Sequence, residues 1–360
     1  MSKIRVGIIG VGNCFAGLIQ GIEYYKKNKN KNPIGLMHKK IGPYDFKHIE
    51  FVSAFDVGAN KIGKTLDKAV FASPNLVKWM KLPKSKVVVR ETPILDGVGI
   101  FVENKIKPLK NPTPIEKLEK DIEKEIKKTK TEILVNYLPV GSQKATEFWA
   151  EMSLKTKCAF VNCLPAFIAS DRKWAEKFKR KRTPIIGDDI KGQIGATIVH
   201  RVLAKLCSDR GTTIDKTYQI NVGGNTDFLN MLERTRLESK KISKTEAVTS
   251  QINQDIKADK IYIGPSDFIP FLGNTKLAFI RTEGRMFADI PYSVELRLEV
   301  DDKANSAGVV IDAIRCAKLA LDRKIGGYLQ ASSYFMKHPL EQKTDEEAKK
   351  IVDEFIKNKK

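Results

Sequence analysis

The sequence predicts an α/β protein: a doubly wound, Rossmann-type parallel sheet with an inserted α+β mixed-sheet domain. Three observations carry this. Continuously apolar strands alternate with helical segments through residues 1–200. A Gly-x-Gly turn joins the first strand to the first helix. Beyond residue 200 the apolar runs give way to strict alternation before a long helix returns.

Ile4 to Ile9 is the first apolar run, followed by the glycine turn and then by apolar positions at helical spacing in NCFAGLIQGIEYY. Buried-type strands read at 50–56 (EFVSAFD), 86–90 (KVVVR), 132–138 (EILVNYL), 158–164 (CAFVNCL) and 183–187 (TPIIG). The patterns PIEKLEKDIEKEIKKT and SQKATEFWAEMSLKT supply helices between them. A polar, Gly/Pro-bearing insertion at 28–48 separates the first two strands. After a helix at 195–211, KTYQINVGG, DKIYIG and KLAFIR are strand-like. YSVELRLEV alternates in period two, as a strand with one face on a core and one on something polar does. NSAGVVIDAIRCAKLALDRKIGG returns as an amphipathic helix closed by Gly-Gly, and EEAKKIVDEFIKNKK reads as a surface helix. The expected division is 1–200 with 302–360 for nucleotide binding, and 201–301 for the inserted domain.

At 360 residues, 42% hydrophobic and 30% charged, the chain has the balance of a soluble globular protein large enough for two domains. No apolar run is long enough to span a bilayer, and MSKIRVGIIG enters a strand pattern directly, so neither a membrane segment nor a signal peptide is expected. The five cysteines (14, 158, 163, 207 and 316) are scattered, which suits a reducing, cytoplasmic setting. The net charge of +21 raises the question of nucleic acid. The lysines are spread along the whole chain with no nucleic-acid motif, which favours an anionic small substrate instead.

Gly10-Val-Gly12-Asn13-Cys14 lies between a strand and a helix, where glycines let backbone approach a pyrophosphate seated on the helix N-terminus. The third small residue of the fingerprint is met by Ala16 only with loosened spacing. Asp56 ends the second strand, placed to accept from a ribose 2′-hydroxyl and to repel a 2′-phosphate, so NAD is preferred to NADP. Its distance from Gly12 is about twice the usual ~20 residues, an excess the 28–48 insertion absorbs. Other strand ends carry polar residues at the edge where open α/β sheets bind ligands. These are Asn136 with Ser142, Asn162, and the Asp188-Asp189-Ile-Lys191 stretch.

Lys240 and Lys244 stand one helical turn apart in LESKKISKTEAVTS. Spacing alone describes a solvated basic face equally well. Convergence in a closed site would instead depress their pKa values and make one a proton shuttle and the other a fixed charge against an oxyanion. Lys276 precedes a strand in GNTKLAF, and Lys337 sits in the apolar segment SSYFMKHP, where an unpaired ammonium is costly. The four histidines form no metal pattern, and neither a nucleophile elbow nor a P-loop is present.

In order, GVGNC, FVSAFDV, LDGVG, YLPVGS, VNCLPAFIAS, GDDIKGQIGATIVHRVLAKL, VGGNTDFLNMLE, RLESKKISKTEAV, IGPSDFIPFLGNTK, NSAGVVIDAIR and SYFMKHP resemble the short bacterial and archaeal form of the myo-inositol-1-phosphate synthase family. The resemblance runs from residue 3 to about residue 345. It implies an isomerase that borrows and returns the hydride of NAD: D-glucose 6-phosphate is oxidised at C5, enolised at C6, closed onto C1 by an aldol step and reduced again. It further implies a homotetramer assembled through the inserted domain, with neither nucleic acid nor membrane as partner.

Carried over residue by residue, the resemblance makes Lys240 and Lys244 the pair around the C5 oxygen and the phosphate, and Lys276 the lysine at the reacting end. Lys337 takes the proton transfer at the C5 hydroxyl, Asp189 is its acidic partner, and Asp302 is a second carboxylate near the nicotinamide. Gly10, Gly12, Asn13, Cys14, Asp56, Asn136, Ser142, Asp188, Asn305 and Ser306 are expected to bind cofactor. Asn225, Asp227 and Lys191 are expected to bind substrate. Some family members use a divalent or a monovalent cation, and the residues leave that open. Asn274 and the GGNTDF order depart from the longer relatives and put metal binding by Asp227 in doubt. A simple dehydrogenase acting on an anionic substrate, and a non-catalytic nucleotide sensor, are the alternatives.

Overall fold

A computed structural model of the chain describes residues 3–28, 33–264 and 267–357. Part of the lysine-asparagine run at 26–32, and Pro265 and Ser266 of the GPSD motif, lie outside the described residues.

The first half alternates as its pattern demands. β1 (Ile4–Ile9) and α1 (Asn13–Lys27) are followed by β2 (Ile49–Asp56), the short α2 (Leu66–Ala69) and β3 (Val89–Glu91). Next come α3 (Ile115–Thr129), β4 (Ile133–Asn136), α4 (Gln143–Thr156), β5 (Ala159–Asn162), α5 (Arg172–Arg180) and β6 (Pro184–Ile186). The inserted part holds α6 (Ala196–Asp209), β7 (Lys216–Gly223), α7 (Thr226–Asn230), α8 (Glu238–Thr249), β8 (Ile261–Ile263), β9 (Thr275–Arg285) and β10 (Pro291–Asp301). The chain then returns through α9 (Ala304–Asp322), β11 (Gly327–Tyr328), α10 (Ser332–Phe335) and α11 (Asp345–Lys357).

Seven strands pair in parallel in the order β11-β6-β5-β4-β1-β2-β3. Six of these follow the doubly wound order, with the direction of winding reversing between β1 and β4. Both faces are covered: α1 and α9 seal one with Phe15, Leu18, Val310 and Ile314, while α3 and α4 seal the other with Ile122, Ile126 and Trp149. That double cover is why these strands are apolar throughout rather than alternating. No helix among the described residues is long and apolar enough to cross a membrane.

The second sheet runs β10-β9-β7-β8, antiparallel except for the β7–β8 pair. The alternation of β10 is present, but its apolar face is only half covered, with Val294, Leu296 and Leu298 all partly exposed. On β7 and β9, Ile220 and Phe279 are 40% and 39% exposed. The second sheet thus carries apolar surface that the described residues leave uncovered. The described part of the 28–48 insertion packs onto α9. There Arg315 donates to the carbonyls of His38 (2.8 Å) and Lys39 (3.0 Å), and His38 pairs with Asp312 at 2.6 Å.

Candidate active site

The carboxyl ends of β1 and β4, where the winding reverses, open onto a cavity of about 1660 Å³ measured out to its mouth. Its lining runs from the glycine turn and Asp56 on one side to Lys240, Lys276 and Lys337 on the other. The glycine turn forms one wall. Gly10 has φ +88°, and a Cβ there would stand 2.9 Å from the carbonyl oxygen of Tyr137, so the position requires glycine. A Cβ at Gly12 would meet no atom within 4 Å, which leaves the N-terminus of α1 open to the cavity with no side chain capping it.

Asp56, at the end of β2, braces this turn: its oxygens accept from the amides of Val11 and Gly58, both at 2.8 Å. A carboxylate has about four acceptor sites, so capacity remains for a ribose hydroxyl. Asn13 accepts from the Leu76 amide at 2.6 Å and also lines the cavity. Tyr137 and Asn230 contribute to the wall, although the Tyr137 hydroxyl and Asn230 Oδ1 are themselves buried, with no hydrogen-bond partner among the described residues. An open glycine cradle, an uncapped helix and an aspartate at the end of β2 fit a dinucleotide.

The opposite wall is basic. α8 buries Ser243, Lys244, Ala247 and Val248 and exposes Ile242 and Lys241, so its polar stripe faces inward. Asp189 is the counter-charge. Its segment pairs with 336–338: Ile190 bridges Met336, and the Lys337 amide donates to the Asp189 carbonyl at 2.7 Å. That pairing brings Lys337 Nζ to 2.8 Å from Asp189 Oδ1, while Lys240 Nζ reaches the same oxygen at 3.0 Å and Ser243 Oγ reaches Oδ2 at 2.7 Å. Lys244 makes no hydrogen bond or ion pair among the described residues.

Burial and charge split these groups. Burial would raise the Asp189 carboxyl, but Lys240 and Lys337 outweigh it and hold the group far below the carboxylate range. Burial pulls Lys240 down, yet Asp189 and then Asp227 carry it above the ordinary lysine value. For Lys337 burial wins over Asp189, and with Lys240 beside it the pKa falls to about 8. Lys244 falls well below the ordinary value, first by burial and then by repulsion from Lys276, Lys240 and Lys337. One helix therefore holds a lysine raised above the ordinary value and another lowered well below it.

Across the cavity, Asp302 Oδ1 lies 3.5 Å from Lys276 Nζ, which also sits over the Phe228 ring at 5.8 Å. Its Oδ2 accepts from Lys303 at 2.9 Å and from Asn225 at 3.3 Å. Asp227, Asn305 and Ser306 complete that side. Cys14 and Cys163 are at the wall as well, but burial raises both thiols, so neither is a thiolate nucleophile at neutral pH.

Five of the expected residues lie outside the cavity wall. Asn136 is fully buried and binds Asn162 and Thr146. Ser142 turns back to the Pro139 carbonyl at 2.7 Å. Asp188 accepts five bonds from Asn162, Ile168, Ala169 and Ser170, which saturates it as the clasp of the 168–170 loop. Lys191 points away from the cavity into a buried cluster with the Ser333 carbonyl (2.8 Å), Asp345 (3.3 Å) and Arg201, where burial lowers it to about 7. Asn225 caps α7 and supports Asp302 rather than lining the space. Conversely, Lys61 and Lys303 line the cavity and were not anticipated. Lys61 had no local signal. Lys303 could have been suspected from the run Asp301-Asp302-Lys303 at the end of β10.

Residues 195–303 match the family model described as myo-inositol-1-phosphate synthase. An inositol-3-phosphate synthase of Mycobacterium tuberculosis is 50% identical, with 99% of this chain and 96% of that protein covered. One from Mycolicibacterium smegmatis is 49% identical, with 98% of each covered. Among solved structures, a myo-inositol-1-phosphate synthase-related protein from Thermotoga maritima shares the fold, with a TM-score of 0.82, 23% identity and 98% of each chain covered.

Proposed function

The chain belongs to the myo-inositol-1-phosphate synthase family, and on that premise we propose that it cyclises D-glucose 6-phosphate to 1L-myo-inositol 1-phosphate. NAD, held at the glycine turn, supplies the chemistry of taking a hydride from C5 and returning it after ring closure. The chain's own residues do the rest. Lys337, whose pKa lies near 8, takes the proton of the C5 hydroxyl. Lys240, kept charged by Asp189, faces the oxygen as it becomes a carbonyl and then an enolate. Lys276, held by Asp302, serves the C1 oxygen during ring closure.

Among the described residues six lysines and four aspartates line the cavity, a basic balance suited to anionic ligands. The uncapped N-terminus of α6, with Ala196 and Thr197 at the cavity wall, adds backbone amides suited to the phosphate. Lys244 is the remaining candidate for the phosphate, whose negative charge would favour the charged form of a lysine lowered by its cationic neighbours. The observation that carries the reading is the convergence of Lys240 and Lys337 on one oxygen of Asp189, facing the glycine turn. The expected assay is inositol phosphate formed from glucose 6-phosphate and NAD, with no accumulation of reduced nicotinamide absorbance. Stoichiometric NADH without cyclised product would favour the simple dehydrogenase and defeat the proposal.

The uncovered faces of β7, β9 and β10 support assembly through the inserted domain, in keeping with a homotetramer. Light scattering should give four times the chain mass, and a monomeric mass would remove that part of the proposal. Five free cysteines suit a cytoplasmic enzyme.

A further inference from the structure

The donor chemistry around Asp302 bears on the cation that the family resemblance leaves open. Among the described residues no three His, Cys, Asp or Glu side chains come together in a way that could hold a metal ion. Asp302 instead meets a cation belonging to the chain. Lys303 Nζ donates to its Oδ2 at 2.9 Å, and the Lys303 side chain is 3% exposed. The other oxygen faces Lys276 at 3.5 Å, and Asn225 donates to Oδ2 at 3.3 Å. A metal ligated here would lie against two ammoniums, that of Lys303 on a side chain 3% exposed, where like charges repel more strongly than in open solution. The residues present do not fit a bound metal.

The same ammonium has capacity to spare. Of its three donors, one is spent on Asp302 among the described residues, and a buried donor left unmatched is costly unless a ligand takes it. Lys303 lines the cavity, and a Cβ at Gly17 of α1 would lie 3.4 Å from its Cβ, so it stands beside the helix that starts at the glycine turn. Asn305 and Ser306 follow it into the first turn of α9. Burial opposes its charge, but Asp302, with Cys14 and Asp227 behind it, raises its pKa above the ordinary lysine value, so it is a cation throughout the working pH range.

We propose that Lys303 is a resident cation of this active site: its ammonium, locked to Asp302 between the glycine turn and α9, does the charge neutralisation for which a metal or monovalent ion would otherwise be taken up. The inference rests on the reading of the cavity as an NAD and sugar-phosphate site. It makes turnover independent of added divalent or monovalent cations.

The test uses the full chain, stripped with a chelator and exchanged into a tetramethylammonium buffer. The wild-type rate is expected to be unchanged when Mg²⁺, Zn²⁺, K⁺ or NH₄⁺ is restored. K303M keeps the stem without the charge. It should bind NAD about tenfold or more weakly by calorimetry, the size of a lost hydrogen bond to a charged group, and stay weak whatever ion is added. K303S opens room beside Asp302 and should regain NAD affinity with Mg²⁺ or NH₄⁺. A wild-type enzyme that is silent when stripped and revived by an ion overturns the inference, as does K303M with wild-type NAD affinity. The wild-type arm needs no variant, so misfolding of either substitution leaves it decisive. A wild type that binds no NAD and forms no inositol phosphate in any salt overturns the functional reading itself, and the inference with it.

Discussion

Lys337→Met is expected to lower turnover by about 10²–10⁴-fold, the range for a lost proton-transfer group, while NAD affinity stays at the wild-type level. The substitution keeps the stem that packs in the apolar SSYFMKHP segment and removes only the amine. Its companion readout is pH. Lys337 has its pKa lowered to about 8, so the neutral amine that can accept the C5 hydroxyl proton gains population as pH rises through that value. The wild-type kcat/KM should therefore climb through about pH 8 and level off above it, and the climb should vanish in the variant's residual activity. Turnover near the wild-type rate, or the same climb in the variant, would take Lys337 out of the proton transfer.

The fold was legible because its signals are local. Apolar strand runs, a glycine turn and helical spacing each depend on neighbours in sequence, and the structure answers them with β1, α1 and the parallel sheet. The site was legible in part. Lys240 and Lys244 could be named as a pair from their spacing, but the spacing held no information on which way the stripe faces. Only Asp189, brought in by the pairing of 187–191 with 336–338, turns it inward. Strand-end position did not by itself place Asn136 or Asp188 on the cavity wall: Asn136 is buried at the end of β4, and Asp188, two residues past β6, turns into the 168–170 loop. Asp188 and Asp189 are adjacent, yet one clasps the 168–170 loop while the other, at φ +62°, faces the lysines. Lys191 was drawn in by the same logic and belongs to a cluster with Arg201 and Asp345. Lys303 was missed for the opposite reason: a lysine after two aspartates reads as a solvated turn until the fold buries it.

Asp189→Asn should be the most disruptive isosteric change in the cavity, and the form of its failure can be argued in advance. The carboxylate is shared by Lys240 and Lys337 through one oxygen and by Ser243 through the other. Without its charge, two buried ammoniums face each other and Lys244 with their nearest counter-ion gone, leaving Lys240 only the weaker pull of Asp227 and Asp302. Keeping both charged would cost about 3–5 kcal/mol, the usual result of removing one partner from a buried pair. Shedding a proton costs far less: a lysine with a pKa of about 8 gives up its proton at pH 7 for about 1.4 kcal/mol, even before the lost carboxylate lowers that pKa further. Deprotonation wins, so the variant should fold and bind NAD, and the rise in kcat/KM should move to lower pH rather than disappear. Turnover should nonetheless fall by about 10³-fold, because Lys240 loses the largest contribution keeping it charged against an oxyanion, and Lys337 loses the contact that aims it. A variant with the wild-type pH profile and rate would show that Asp189 is a bystander. One with the profile shifted and the rate preserved would show that Lys240 does not need its charge.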